Sequence, residues 1–205
     1  ANGEEQEDEV PGVDDSNPAV SVPGEIYQLG PHRLMCGDAT NIDDVEKLMA
    51  GEKAYMVFTD PPYNVAYEGK TKDALTIQND SMEDGQFYQF LFDSFANMAA
   101  VTRPGASIYI CHADSEGLNF RKAMVDAGWL MKQCLIWAKN QMVLGRQDYQ
   151  WQHEPILYGW KEGDAHYFTD DRTNTTLWQI DKPSASLDHP TMKPLALIKI
   201  ALKNS

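Results

Sequence analysis

Hydrophobic positions along this chain follow two periods. Residues 55–59, Tyr-Met-Val-Phe-Thr, form a short apolar run that reads as a buried strand, and residues 106–111, 130–138 and 156–160 read the same way. Between these runs, apolar residues recur at helical spacing. Ile42, Val45 and Met49 share one face of a helix that Thr40 or Asn41 can cap and Gly51 can stop. Phe87, Phe90, Leu91, Phe95 and Met98 define a long helix with Ser81 as its cap, and Phe120, Ala123, Met124 and Ala127 define another, closed by Gly128. Pro194 opens a last helix with Leu195, Ile198 and Leu202 on one stripe and Leu197 and Ile200 on a second, so burial on two sides is expected. Residues 33–37 add a short strand ending at Asp38, and Pro104-Gly105 reads as a turn. Strands alternating with helices predict an α/β fold, a mainly parallel sheet with helices on both faces. The stretch 64–80 is polar and irregular, a mobile-loop candidate, and 139–153 and 161–188 are polar connections dotted with aromatic residues.

Composition narrows this picture. The 205 residues, 42% hydrophobic and 10% aromatic, suffice for one full core. No apolar stretch approaches a membrane span. Residues 1–23 hold acids, glycines and prolines and read as a disordered linker, leaving 24–205 as the folded domain. A chain that opens on Ala inside such a linker suggests a piece of something larger. Net charge is −14, and seven of the 31 acids lie in residues 1–17. The remaining 24 acids still outnumber 17 bases, so affinity for nucleic acid would need a focused basic patch. Lys70, Lys72, Lys139, Arg146, Lys161, Arg172 and Lys182 lie in the loops where phosphates could be met, although each alone reads as a solvated surface charge. Cys36, Cys111 and Cys134 form no CxxC pair, which argues against zinc and for reduced core cysteines in a cytosolic protein. His153-Glu154 lacks the second ligand spacing of a metal helix, so no metal site is expected. His112 and Asp114 follow a strand and read as rim residues. Trp151, Trp160 and Trp178 read as core rather than as a wedge between bases.

The chemistry concentrates in Asp60-Pro61-Pro62-Tyr63, immediately after the strand at 55–59. The residue before a proline is pushed out of helical geometry, so Asp60 ends the strand and the two prolines stiffen the turn. A carboxylate, a fixed carbonyl and an aromatic ring then project from the C-terminal edge of a strand, where ligands bind in open α/β sheets. The set resembles that of the amino-methyltransferases, and methylating an amino group on a nucleobase demands such groups. The nitrogen lone pair is delocalised into the ring, and acceptors that grip both N–H bonds can aim it at a methyl donor. Asp60 suits one N–H and the Pro61 carbonyl the other. Tyr63 can stack on a base that has left the duplex.

This tetrapeptide resembles the signature of the amino-methyltransferases that act on the exocyclic NH2 groups of DNA bases. Gly37-Asp38-Ala39, at the end of the preceding strand, is similar to the family's acidic position that contacts the adenosine of S-adenosylmethionine, although Asp38 can equally help to cap the next helix. His189-Pro190-Thr191-Met192-Lys193-Pro194 closely matches the element bordering the methionine end of that cofactor in members of permuted order, with the catalytic motif before the cofactor motif. There Thr191 would cap the helix and Lys193 would meet the cofactor carboxylate. Residues 103–110, 136–139 and 153–158 match later strands of the family, and residues 24–30 resemble members with an upstream ParB-like domain. The resemblance implies a cytoplasmic, prokaryotic or phage-encoded, S-adenosylmethionine-dependent enzyme with a Rossmann-like sheet. It would act on the N6 of adenine in double-stranded DNA, as in restriction–modification systems. The catalytic set is Asp60, Pro61, Pro62 and Tyr63, and the cofactor set is Asp38, Ala39, Asp60, His189, Thr191 and Lys193. N4 of cytosine is the alternative target, and a catalytically incomplete nucleic-acid-binding fragment the alternative of another class. The connections at 139–188 are the candidates for target recognition. The family's glycine-rich cofactor loop has no counterpart in the sequence, so its central cofactor strand is expected from a C-terminal segment or a second chain.

Overall fold

The computed structural model describes residues 20–65, 80–181 and 192–205. The acidic linker and the loop expected over 64–80 therefore lie largely outside the described residues, as do His189, Thr191, Lys70, Lys72 and Lys182. Two sheets form. A small hairpin pairs β1 (Ile26–Leu29) antiparallel with β2 (His32–Met35). The main sheet has five strands in the order β3-β4-β6-β5-β7, built from β3 (Ala54–Thr59), β4 (Thr102–Cys111), β5 (Trp129–Val143), β6 (Trp151–Lys161) and β7 (Leu177–Gln179). The strand expected over 33–37 is thus β2, and it pairs in a separate sheet from β3.

The pairing is mixed rather than mainly parallel. β3 runs parallel to β4 and β5 parallel to β7, whereas β6 is antiparallel to both β4 and β5. The reason is local. β5 and β6 are joined by a short connection and pair as a long hairpin, which can only be antiparallel. Pro104-Gly105 is no terminal turn either. It sits inside β4, where Gly105 has φ +77° and the partners of Ala54 and Met56 are Thr102 and Ser107, so the strand bulges there. A Cβ on Gly105 would stand 2.5 Å from the Ala165 carbonyl oxygen.

Side chains alternate across β4 and divide the core into two layers. Ile108 and Ile110 face α2 (Asp84–Ala100) and α3 (Gly117–Asp126), joining Phe87, Leu91, Phe95, Phe120 and Met124. Tyr109 and Cys111 face the other way, towards Trp137, Ile156, Trp178 and the Leu197 and Ala201 of α4 (Leu195–Asn204). Helices therefore cover both faces, as the alternation of elements predicts. Two helix starts differ from expectation. α2 begins at Asp84, with Glu83 rather than Ser81 at the N-cap position and no side-chain cap bond. The N-cap position of α4 is Pro194 itself.

Other residues also sit differently from the sequence reading. α4 buries Leu197 and Ala201, but Leu195 and Leu202 are about half exposed, so one of its two stripes is open. α1 (Ile42–Met49), capped by the Asn41 side chain, buries none of its residues. Cys36 is exposed and only Cys111 is fully buried. His112 is not at the rim: it is completely buried, against Phe120. Of the tryptophans, Trp178 is core, Trp160 stacks on His166 at 3.6 Å, and Trp151 is exposed. No described helix is long and apolar enough to cross a membrane.

Candidate active site

β3 ends at Thr59, and the backbone leaves the sheet at Asp60 because Pro61 and Pro62 cannot donate to a ladder. The turn is then held from behind. The Tyr63 amide donates to the carboxylate of buried Asp80 at 2.9 Å, and the Val65 amide reaches the same oxygen at 3.4 Å. Asn64 takes a left-handed backbone with φ +58°. Its amide exchanges two hydrogen bonds with the Met82 backbone, at 2.6 and 3.2 Å. The described residues on both sides of 66–79 are therefore fixed beside the tetrapeptide.

Asp60 remains exposed at the edge, with one oxygen engaged. Oδ1 accepts the Tyr63 hydroxyl at 2.7 Å and the Lys193 ammonium at 3.0 Å. Lys193 also reaches Glu154 Oε2 at 3.3 Å and lies 5.0 Å from the centre of the Tyr63 ring. The Tyr63 hydroxyl lies 3.2 Å from the same Glu154 oxygen, and Glu154 Oε1 is ion-paired to Lys139. Two carboxylates, two ammonium groups and one phenol thus meet from β3, β5, β6 and the segment before α4. Sequence reading singled out Asp60, Tyr63 and Lys193. It missed Glu154, and it took Lys139 for a loop cation, whereas the Lys139 side chain is only 8% exposed. The signal that could have found the pair is strand register, since Glu154 lies opposite Trp137 in the β5–β6 hairpin.

Burial and charge set the protonation of this cluster. Burial first, then the carboxylates of Glu154 and Asp60, push the Tyr63 phenol far above its ordinary range, so it is a fixed donor. Burial alone would raise Glu154, but Lys193 and Lys139 outweigh it and hold the carboxyl below its usual range. Burial likewise opposes the charge on Lys193, and Glu154 and Asp60 overcome it and raise the ammonium. Burial, with Asp60 as the next contributor, pushes the Cys111 thiol well up, which leaves it unreactive.

The cofactor candidates on the N-terminal side lie elsewhere. Asp38 Oδ1 accepts from the Thr40 amide at 2.9 Å and from the Thr40 hydroxyl at 2.7 Å, a turn-capping role. The Ala39 carbonyl is tied to Asn97 of α2 at 3.0 Å. Asp38 and Ala39 line a largely apolar groove of about 470 Å³ with Val45, Val57, Phe58 and Met98, along β3 at the edge of the described sheet. Asp60 and Tyr63 do not line it. The described residues therefore bring Lys193 to the tetrapeptide but keep Asp38 and Ala39 in a separate recess.

Comparison with solved structures gives the class of fold. The crystal structure of the M1.HpyAVI–SAM complex matches with a TM-score of 0.56 and 19% identity, covering 82% of this chain and 72% of that one. The crystal structure of M1.HpyAVI itself matches with a TM-score of 0.55 at the same identity and coverage. No curated protein sequence matches significantly. Residues 54–205 match the DNA methylase family N6_N4_Mtase, and the chain belongs to that family.

Proposed function

We propose that the protein transfers a methyl group from S-adenosylmethionine to the N6 amino group of an adenine turned out of double-stranded DNA. The observation that carries this reading is the state of Asp60. Its carboxylate ends β3 in the open, with Tyr63 and Lys193 both on Oδ1 and no described partner on the second oxygen. That second oxygen accepts one N–H of the amino group, and the carbonyl of Pro61, fixed between proline rings, accepts the other. Gripped at both hydrogens, the nitrogen presents its lone pair in one direction, and the gain comes from positioning and preorganised dipoles. Tyr63 flanks the base, with Lys193 over one face of its ring. The Asp form of the tetrapeptide favours adenine over cytosine.

The residues present fit the adenosine end of the cofactor. The groove beside β3 has apolar walls, a volume in the usual range for small-molecule sites, and the Asp38 carboxylate at its margin for an adenine amino group. S-adenosylmethionine supplies an electrophilic methyl on a sulfonium. Ala39 belongs to the same recess, and the family resemblance assigns the methionine end to His189, Thr191 and Lys193. A glycine-rich loop from a further segment or a second chain completes the site. The edge of β3, unpaired among the described residues, the unburied face of α1 and the open stripe of α4 all support such an addition. Target recognition falls to the connections after β5 and β6, where Leu144, Arg146 and Tyr149 are exposed. Replacing Asp60 by Ala in the full-length protein tests the assignment. Incorporation of labelled methyl into DNA is expected to fall by about a hundredfold to a thousandfold while the thermal midpoint is kept. Undiminished incorporation would remove Asp60 from the chemistry.

A further inference from the structure

The reaction described above uses Asp60, Pro61 and Tyr63, and it leaves the largely buried Glu154 and Lys139 behind them without a task. Glu154 is the hub of those charges. Its side chain is 21% exposed, and its neighbours Lys139 and Lys193 are 8% and 9% exposed. Withdrawing such groups from water is costly, and a buried ion pair is poor evidence of net stabilisation. What the arrangement does supply is geometry. One Glu154 oxygen is taken by Lys139. The other meets Lys193 at 3.3 Å and the Tyr63 hydroxyl at 3.2 Å. Those are the two groups that hold Asp60 Oδ1, at 3.0 and 2.7 Å. Asp60 and Glu154 thus share both of the groups that orient Asp60.

Building on the functional reading above, we infer that Glu154 is a positioning residue: anchored by Lys139, it fixes Lys193 and the Tyr63 hydroxyl so that Asp60 keeps one oxygen held and the other turned to the substrate amino group. A proton relay from Asp60 through Tyr63 to Glu154 does not fit. Glu154 lies between two ammonium groups that disfavour its protonation, and the Tyr63 phenol is a fixed donor. Losing Glu154 should therefore impair the aim of Asp60 rather than DNA binding.

Two full-length variants test this, Glu154→Gln and the charge-balanced Lys139→Met/Glu154→Gln. Glu154→Gln is expected to lower kcat about a hundredfold, the scale of a misplaced reacting group, with KM for DNA and equilibrium DNA affinity unchanged. The double variant should regain the thermal midpoint but not kcat. Equal kcat in Glu154→Gln and the parent, or recovery of kcat in the double variant, would overturn the inference and leave Glu154 a charge-balancing group. A crystal structure of Glu154→Gln reads the same point without catalysis, and Lys193 withdrawn with Asp60 rotated is the expected result. A parent enzyme that methylates no DNA would defeat the functional reading, whereas an unmoved Asp60 and Lys193 in that crystal would defeat this one.

Discussion

At the scale of single residues, the site rests on how a few polar groups are satisfied. Asp80, buried behind the tetrapeptide, does for the Tyr63 and Val65 amides what a sheet neighbour would do, and so the turn after Pro62 has one shape. His112 shows the opposite condition. It is fully buried, and neither ring nitrogen has a well-formed hydrogen bond among the described residues. Burial, and then the charge of Arg121, lower its pKa to about 4, with smaller opposing contributions from the Ile110 and Pro155 carbonyls and Asp114. The sign of the effect follows from linkage. The unfolded chain, with an ordinary imidazole near pH 6.5, binds the proton that the folded one refuses. Its contribution to stability is complete above pH 6.5 and is lost as the pH falls from there to 4, by up to roughly 3 kcal/mol. Urea denaturation at pH 7 and pH 4.5 checks this. His112→Leu should lose less stability over that interval than the parent, and an equal loss in both would contradict the assignment.

At the scale of elements, the strand ending at Asp60 and the helix periods were legible because each is written locally. An apolar run stopped by Asp-Pro-Pro has only one reading, and the Phe87–Leu91–Phe95 stripe and the Phe120–Ala123–Met124 stripe lie where α2 and α3 bury them. What was not legible depends on pairing. Glu154 meets Lys139 only because the β5–β6 hairpin sets its register, and nothing in the stretch His153-Glu154-Pro155 announces a partner 15 residues away. Local sequence points Lys193 towards a cofactor carboxylate but does not reveal that it also stands between two carboxylates of its own chain. The Pro104-Gly105 pair was read as a turn because turns and bulges use the same residues. The bulge has its own consequence. Gly105 combines a left-handed φ of +77° with a close approach to the Ala165 carbonyl, and it sets how β4 meets β3. Gly105→Ala should destabilise the fold by about 1–3 kcal/mol, seen as a lower denaturation midpoint. No change in that midpoint would mean that the strand has another way to relax.

At the scale of the whole molecule, two features govern function. The chain carries a net charge of −14, so any hold on DNA depends on local contacts rather than on bulk attraction. Among the described residues β3 is an edge strand, with a groove of about 470 Å³ beside it. The 205-residue chain alone is therefore expected to bind S-adenosylmethionine weakly by calorimetry, and tight binding would show that no added segment is needed. The central claim is that Asp60 and the Pro61 carbonyl grip an adenine amino group. Mass analysis of nucleosides from duplex DNA treated with the full-length protein and S-adenosylmethionine tests it most directly. The account predicts N6-methyldeoxyadenosine, and N4-methyldeoxycytidine alone, or no methylated nucleoside, would contradict it.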